Sequence, residues 1–111
     1  MASLYSQYLS ERTNDHILES PLGFATYRYL DDGKTVYIID IFVVPERRKD
    51  GWATQIADEI VKTAKARGAN KLIGSVVPTA KNSTLSMRVL LGYGMSLDSS
   101  TNDFILFRKE I

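Results

Sequence analysis

The chain has 111 residues, 44% of them hydrophobic, which is enough for one buried core and predicts a single domain over residues 1–111. Fourteen Lys and Arg against thirteen Asp and Glu give a net charge of +1, so no broad basic surface for nucleic acid or membrane is expected. The absence of cysteine excludes disulfides and thiolate chemistry, and no metal site is predicted. Without a signal peptide or an apolar anchor in the first residues, we expect a soluble, cytoplasmic protein.

Hydrophobic spacing and turn residues predict alternating helices and strands. Leu4, Tyr5, Tyr8 and Leu9 indicate a short amphipathic first helix. Asp31-Asp32-Gly33 is a strong hairpin signal. The predicted strands cover residues 16–19, 24–30, 35–44, 71–77, 93–97 and 104–108, the predicted helices cover 3–12, 52–67 and 82–91, and residues 99–103 are expected to form a loop or hairpin tip. This order predicts an α/β fold with a mixed sheet flanked by helices.

Residues 43–57, VVPERRKDGWATQIA, join a strand to a helix through a charged loop with the pattern RxxGxA. The first amides of a helix lack partners within the helix, and its dipole is positive there, so this junction suits an anion such as a pyrophosphate. Gly51 and Ala53 leave room for a phosphate, while Arg47, Arg48 and Lys49 supply positive charge. The loop is neither a P-loop nor a dinucleotide fingerprint. An ordinary strand-to-helix turn with solvated charges is the alternative.

Two segments together resemble the GNAT superfamily of acetyl-coenzyme A dependent N-acetyltransferases. The first, IDIFVVPERRKDGWATQIADEIVKTAKARG at residues 39–68, is similar to the family's central pyrophosphate motif. The second, NSTLSMRVLLGYG at residues 82–94, is similar to the helix that follows the family's fifth strand. The resemblance covers residues 16–111 and implies a GNAT-like fold with a splayed central sheet.

The resemblance implies that acetyl-coenzyme A is the cosubstrate. Backbone groups of Phe42, Val43 and Val44 would pair with its pantetheine arm as an added strand does, and this requires strand 71–77 to diverge from strand 35–44. Asn82 would lie near the same arm. The pyrophosphate would be bound by backbone amides of the loop, supplied by Arg48, Lys49, Asp50, Gly51, Trp52 and Ala53.

In this family an amine of a small molecule or protein attacks the thioester directly, so no covalent enzyme intermediate is needed. Asp40 is the expected base or amine anchor. It is a carboxylate in a strand of otherwise apolar residues, where burying an unpaired charge is costly, so a functional role would explain its presence. A cap, a hydrogen bond or solvent exposure would also explain it. The amide of Val43 or Val44 is the expected oxyanion donor.

Two departures from the family pattern leave alternatives open. The position of the usual tyrosine acid falls on Arg88, so either Arg88 or Tyr93 would have to assist the departing thiolate. The N-terminal region is short, which is compatible with an open site or with a homodimer that completes it. A catalytically silent coenzyme A binding or protein-interaction module is therefore the alternative function. His16, Tyr27 and Tyr29 are interpreted as packing residues.

Overall fold

The computed structural model describes residues 3–48, 50–79, 83–101 and 103–111. Over these ranges the helices and strands follow the predicted order. They are α1 (Leu4–Arg12), β1 (His16–Ser20), β2 (Gly23–Leu30), β3 (Thr35–Val43), α2 (Trp52–Ala66), β4 (Lys71–Val76), α3 (Ser83–Gly92), β5 (Ser96–Ser100) and β6 (Ile105–Glu110). Short 3₁₀ turns at Asp31–Gly33 and Pro45–Arg47 flank β3.

The six strands form one sheet in the order β1-β2-β3-β4-β6-β5. Strands β3 and β4 are parallel, and all other neighbours are antiparallel. Parallel neighbours need a long crossover connection, and α2 supplies it. The predicted mixed sheet with flanking helices is confirmed.

The β2–β3 hairpin turns on three consecutive residues with positive φ. Asp31, Asp32 and Gly33 have φ values of 52°, 55° and 87°. Asp and Gly are among the residues that tolerate this left-handed region. The Thr35 hydroxyl also donates to Asp31 Oδ2 at 3.1 Å, which holds the turn against the start of β3. The hairpin predicted from the Asp-Asp-Gly sequence is confirmed.

Helix α2 packs its apolar face on the sheet. Ile56, Ile60 and Ala64 recur at four-residue spacing, are buried, and belong to the same core cluster as Val36 and Leu72. Burial of each isoleucine side chain contributes roughly 1.5–3 kcal/mol to stability. Helix α2 is therefore anchored along its length, which fixes the position of its N-terminus relative to β3.

Helix α1 departs from the expected amphipathic packing. Its N-terminus is capped by the Ser3 side chain, which accepts from the Ser6 amide at 3.0 Å, and Leu9 is buried. Leu4, Tyr5 and Tyr8 are nevertheless 83%, 52% and 55% exposed. The helix was correctly predicted, but most of its apolar face is not buried. No helix in the described ranges is long and apolar enough to cross a bilayer.

The fifth strand lies later in the chain than the sequence predicts. A strand at residues 93–97 and a loop at 99–103 were expected, whereas β5 spans Ser96–Ser100. All five side chains of β5 are exposed, so no alternation of apolar residues marks it. It forms because its backbone pairs with β6, from Ser96↔Arg108 to Ser100↔Ile105. Here tertiary pairing outweighs the weak strand propensity of Ser and Asp.

Candidate functional site

The two parallel strands separate partway along their length. Their ladder contains four pairs, from Thr35↔Lys71 to Ile38↔Gly74. Beyond Ile38, β3 stays paired with β2, and beyond Gly74, β4 stays paired with β6. The divergence expected from the family resemblance is therefore present, and it leaves the free edge of β3 facing a gap.

A bulge in β3 coincides with this separation. Thr26 faces Asp40 and Tyr27 faces Ile38, so Ile39 is an extra residue opposite β2. A bulge bends its strand and increases the local twist, which accounts for β3 turning away from β4 here. The extra residue also reverses the alternation of side chains, so Asp40 lies on the same face of the sheet as Tyr37.

The gap forms a cleft of about 480 Å³ between the sheet and two helices. This volume lies within the usual range for small-molecule sites. Its side walls include Ala53, Thr54 and Ala57 of α2, and Val89 and Leu90 of α3. The cleft is also lined by Ile38, Ile39, Asp40, Ile41, Phe42, Val43, Arg48, Leu72, Ile73, Gly74, Ser75, Tyr93 and Met95.

The N-terminus of α2 has no side-chain cap. Gly51 occupies the N-cap position with φ of 80°, and apart from its two chain neighbours no atom of the described residues lies within 4 Å of the place where a Cβ would be. The first helical hydrogen bond is donated by the Gln55 amide to the Gly51 carbonyl at 3.1 Å. The amides of Trp52, Ala53 and Thr54 thus precede the hydrogen-bonded ladder, and the helix dipole gives this end a partial positive charge.

The amides before Gly51 are less available than expected. The Arg48 amide donates to the Pro45 carbonyl at 3.5 Å, and the Asp50 amide donates to the Arg47 carbonyl at 3.2 Å. The prediction of a continuous row of free amides from Arg48 to Ala53 is therefore wrong, because the amides of Arg48 and Asp50 are hydrogen-bonded within the turn. Lys49 lies outside the described residues.

Arg48 is fixed beside the cleft by two contacts. Its Nε donates to the Val43 carbonyl at 2.9 Å, and its guanidinium lies 5.4 Å from the centre of the Phe42 ring. These contacts leave the terminal guanidinium nitrogens as donors for an anion. Arg47 and Asp50 instead form an exposed ion pair at 3.4 Å, a kind of pair that contributes little.

At the end of β3, alternate residues point their backbone groups in opposite directions. The Val44 amide donates to the Leu22 carbonyl at 2.8 Å, towards β2. Phe42 has the same parity as Val44 and is paired with Phe24. The intervening Val43 amide consequently faces the cleft. Three residues were predicted to offer backbone groups to the cofactor, but those of Phe42 and Val44 point towards β2. The prediction of Val44 as an oxyanion donor is therefore wrong, because its amide is bonded to Leu22.

Asp40 lines the cleft, but its carboxylate is exposed. Of the explanations considered for this carboxylate in an apolar strand, the structure therefore agrees with solvent exposure. Arg88 is also exposed and is not among the described residues that line the cleft. Asn82 lies outside the described residues.

Tyr93 lines the cleft, and its hydroxyl already has a partner. It donates to Asp58 Oδ1 at 2.6 Å, which joins the end of α3 to α2. Burial, followed by the hydrogen bond to Asp58, raises the pKa of the Tyr93 hydroxyl. Tyr93 is therefore poorly suited to donate its proton to a ligand in the cleft, because that proton is already bonded to Asp58.

No sequence pattern singles out Tyr37 and Ser75 as site residues. The Tyr37 hydroxyl and Ser75 Oγ lie 2.7 Å apart, joining β3 to β4 where the strands separate. Their separation of 38 positions along the chain explains why no local pattern connects them. Alternation within each strand could have suggested only that both face the same side of the sheet.

His16, Tyr27 and Tyr29 form a separate aromatic group. The His16 ring stacks on Tyr27 and meets Tyr29 edge-on, both at 5.3 Å between centroids. The guanidinium of Arg67 lies 4.2 Å from the centre of the Tyr29 ring. Both tyrosines also pack against the core cluster. These contacts are consistent with the packing interpretation.

Comparison with known proteins identifies the family. The chain belongs to the acetyltransferase (GNAT) family, whose family model matches residues 5–92. It is thus a member of an acetyltransferase family, as the two sequence segments indicated. No curated protein sequence matches the chain.

Solved structures share the fold at low sequence identity. The PaiA N-acetyltransferase from Thermoplasma acidophilum, crystallised with coenzyme A, is 11% identical with a TM-score of 0.78, and the match covers 95% of this chain and 66% of that protein. A Bacillus subtilis acetyltransferase in complex with coenzyme A is 12% identical with a TM-score of 0.72, over 95% and 83%. A GNAT acetyltransferase from Elizabethkingia anophelis with acetyl-coenzyme A bound is 17% identical with a TM-score of 0.74, over 97% and 82%.

Proposed function

We propose that this protein is an N-acetyltransferase that transfers the acetyl group of acetyl-coenzyme A to a primary amine of a small molecule or protein. The observation that carries the proposal is the cleft between β3 and β4, which includes the first turn of α2 in its wall. Similar folds have been crystallised with coenzyme A or acetyl-coenzyme A. Family membership supports the reaction class.

The pyrophosphate would bind at the uncapped end of α2. Gly51 leaves the approach open, and the amides of Trp52 and Ala53 would donate to phosphate oxygens. The helix dipole contributes typically 0.3–1 kcal/mol to such an anion at an exposed site. Arg48 would add a charge-assisted hydrogen bond, since its contacts with Val43 and Phe42 hold it beside the cleft.

The pantetheine arm would lie along the free edge of β3. The Val43 amide faces the gap and has no ladder partner in β4, so it would serve the arm or the acetyl oxygen. An amide aimed at a developing oxyanion typically contributes 10²–10³ in rate. Asp40 borders the same gap from an exposed position, where its carboxylate would anchor a cationic amine or accept its proton through water.

Two observations favour the second candidate function, a coenzyme A binding module without turnover. The Tyr93 hydroxyl is hydrogen-bonded to Asp58, and Arg88 is not among the described residues that line the cleft. Neither residue therefore offers a ready proton to a departing thiolate. The two functions share the cofactor site and differ only in the chemical step.

Calorimetry and thiol release separate these functions. We expect acetyl-coenzyme A to bind with measurable heat and to raise the Tm, whereas adenosine alone does neither. Amine-dependent thiol release should fall at least about tenfold in Asp40→Asn, with unchanged affinity for acetyl-coenzyme A. Glu59→Gln, an exposed carboxylate change on α2, is the matched control.

Each outcome has a distinct meaning. Absence of both heat and a Tm shift with acetyl-coenzyme A would refute both functions. Binding without turnover on any amine of a broad panel would favour the silent module. Equal turnover in Asp40→Asn and Glu59→Gln would remove Asp40 from the reaction while leaving the acetyltransferase proposal intact.

A further inference from the structure

A pair of hydroxyl groups joins β3 to β4 where the two strands separate, and one of the pair lines the cleft. Tyr37 Oη and Ser75 Oγ are 2.7 Å apart, are partly buried, and either one can be the donor. Tyr37 is paired with Ile73, so Ser75 lies two residues further along β4 on the same face. The last pair of the ladder, Ile38↔Gly74, lies between them. Ser75 itself lines the cleft.

We propose that Ser75 is the proton donor to the departing sulfur of coenzyme A and that Tyr37 acts through it as a relay. This inference rests on the proposed acetyltransferase function. When Tyr37 donates its hydrogen bond to Ser75 Oγ, the Ser75 proton is free to point into the cleft. Ser75 is then the catalytic residue, and Tyr37 replenishes its proton.

The position of the pair suits this task. The first turn of α2 lines the cleft, as do Arg48 and Val43, which are joined by a hydrogen bond at the end of β3. The four steps along β3 from Val43 back to Ile39 span about 13 Å at roughly 3.3 Å per residue. An extended arm held by its phosphates at α2 would therefore place its sulfur near the point where the strands join, where Ser75 lies.

The bulge at Ile39 brings the acid and the base to one face of the sheet. Without an extra residue, alternation would put positions 37 and 40 on opposite faces. Because Tyr27 faces Ile38 and Thr26 faces Asp40, the two side chains share a face instead. An amine entering from that face would meet the Asp40 carboxylate on β3 and the Ser75 hydroxyl on β4.

Of the two other candidate acids, one is hydrogen-bonded to a carboxylate and the other does not line the described cleft. The Tyr93 hydroxyl donates to Asp58, and burial and that carboxylate raise its pKa. Arg88 is exposed and does not belong to the described lining. The Tyr37 and Ser75 hydroxyls, in contrast, bond to each other and not to a carboxylate.

The step balances as follows. The amine nitrogen forms a bond to the acetyl carbon, and the carbon–sulfur bond breaks with its electron pair moving to sulfur. The sulfur takes the proton of Ser75 Oγ, which in turn takes the proton of Tyr37 Oη. The proton lost by the amine nitrogen, through Asp40 or water, restores the Tyr37 hydroxyl. One amide and one thiol result, with no net change in protons.

Single-turnover acetyl transfer tests the relay. Tyr37→Phe and Ser75→Ala should each lower the rate about 10²-fold, with affinity for acetyl-coenzyme A within about twofold of wild type. The double variant should be little slower than either single variant, because the two residues act as a unit. Ser75→Thr keeps a hydroxyl and should restore most of the rate. Tyr27→Phe, on the other face of the sheet, is the control.

Solvent deuterium distinguishes a relay from a bond that merely holds the strands together. The single-turnover rate is measured as a function of the D₂O fraction of the solvent. This dependence should indicate two protons in flight for wild type and one for Tyr37→Phe. The relay would be overturned if the loss of acetyl-transfer rate in Tyr37→Phe and Ser75→Ala were fully explained by a lower Tm or a weaker affinity for acetyl-coenzyme A. Wild-type rates in Tyr37→Phe and Ser75→Ala would overturn it as well.

Coenzyme A alone separates failure of the relay from failure of the proposed function. Ultraviolet absorbance of the bound thiolate should show a lower thiol pKa in wild type than in Ser75→Ala. If that difference is seen and no amine is acetylated, the hydroxyl site stands and the enzymatic function fails. If the thiol pKa is the same in both proteins, the relay is refuted even where acetyl transfer occurs.

Discussion

The two halves of β3 have similar apolar sequences but different neighbours. Residues 35–38 are paired on both sides, and Thr35 and Val36 are 2% and 0% exposed. Residues 40–43 are paired only with β2, and Phe42 is 42% exposed. The paired half stabilises the sheet, while the open half offers an unpaired backbone edge. One extra residue, Ile39, marks the boundary between them.

Proline substitutions at the end of the open half should give the largest effect. Val43→Pro removes an amide that faces the cleft and should lower kcat by about 10²–10³-fold. Val44→Pro instead removes the amide that donates to Leu22, so it should lower stability by about 1–3 kcal/mol while kcat is kept. Steady-state kinetics and urea unfolding of both variants check the assignment. Equal kinetic losses would contradict the alternation of backbone groups.

A change in the paired half should act on stability alone. Val36→Ala removes two methyl groups from a fully buried site and should cost about 2–3 kcal/mol. Phe42→Ala, in the open half, should change stability by less than about 1 kcal/mol but weaken acetyl-coenzyme A binding, because Arg48 loses the ring beneath it. Thermal unfolding and calorimetry measure both. The comparison fails if Val36→Ala weakens binding more than Phe42→Ala does.

A pair of substitutions at Gly51 isolates charge at the anion site. Asn and Asp both tolerate positive φ and both can cap a helix, so they differ chiefly in one negative charge. Gly51→Asp should bind acetyl-coenzyme A at least about tenfold more weakly than Gly51→Asn, and added salt should reduce the difference. Titration calorimetry at two salt concentrations is the measurement. Equal affinities would place the pyrophosphate elsewhere.

The smallest effect concerns pH and His16 of β1, whose ring contacts Tyr27 and Tyr29, the residues of β2 that pair with Ile38 and Val36 of the paired half. Burial, followed by the charge of Arg67, lowers the pKa of His16 in the folded protein below its usual 6.5, while Asp15 acts in the opposite direction. The unfolded chain therefore binds more protons as the pH falls below about 6.5, so stability should be lost between that value and the lower folded pKa. The Tm of His16→Gln should fall less than that of wild type between pH 7.5 and 5. A parallel decline in both proteins would exclude His16.

Strong local periodicity explains what the sequence revealed. The spacing of Ile56, Ile60 and Ala64 predicted α2, and Asp-Asp-Gly predicted the hairpin, because these signals act within a few residues. Strand β5 was misplaced because its residues carry no such signal and depend on pairing with β6. Long-range pairing of this kind cannot be deduced from a local window.

The site was predictable only as far as it is local. The loop around Gly51 was found because its charges and glycine are adjacent in the chain. The bulge at Ile39 depends on how β2 and β3 align, so the shared face of Asp40 and Tyr37 was not foreseen, and the exposure of Asp40 was only one of several alternatives. The direction of the Val43 amide and the contact between Tyr37 and Ser75 likewise require the assembled sheet.

Helix α2 combines two roles along one rigid segment. Its first turn presents open amides to the cleft, and the same helix buries Ile56, Ile60 and Ala64 in the core. A ligand held at the first turn would resist local opening of the whole segment, and amide hydrogen exchange should slow as far as Ala64. Exchange in β5, whose side chains all face solvent, should remain unchanged. A protease cleaves α2 only after the helix unwinds locally, so bound coenzyme should slow this cleavage without contacting the protease.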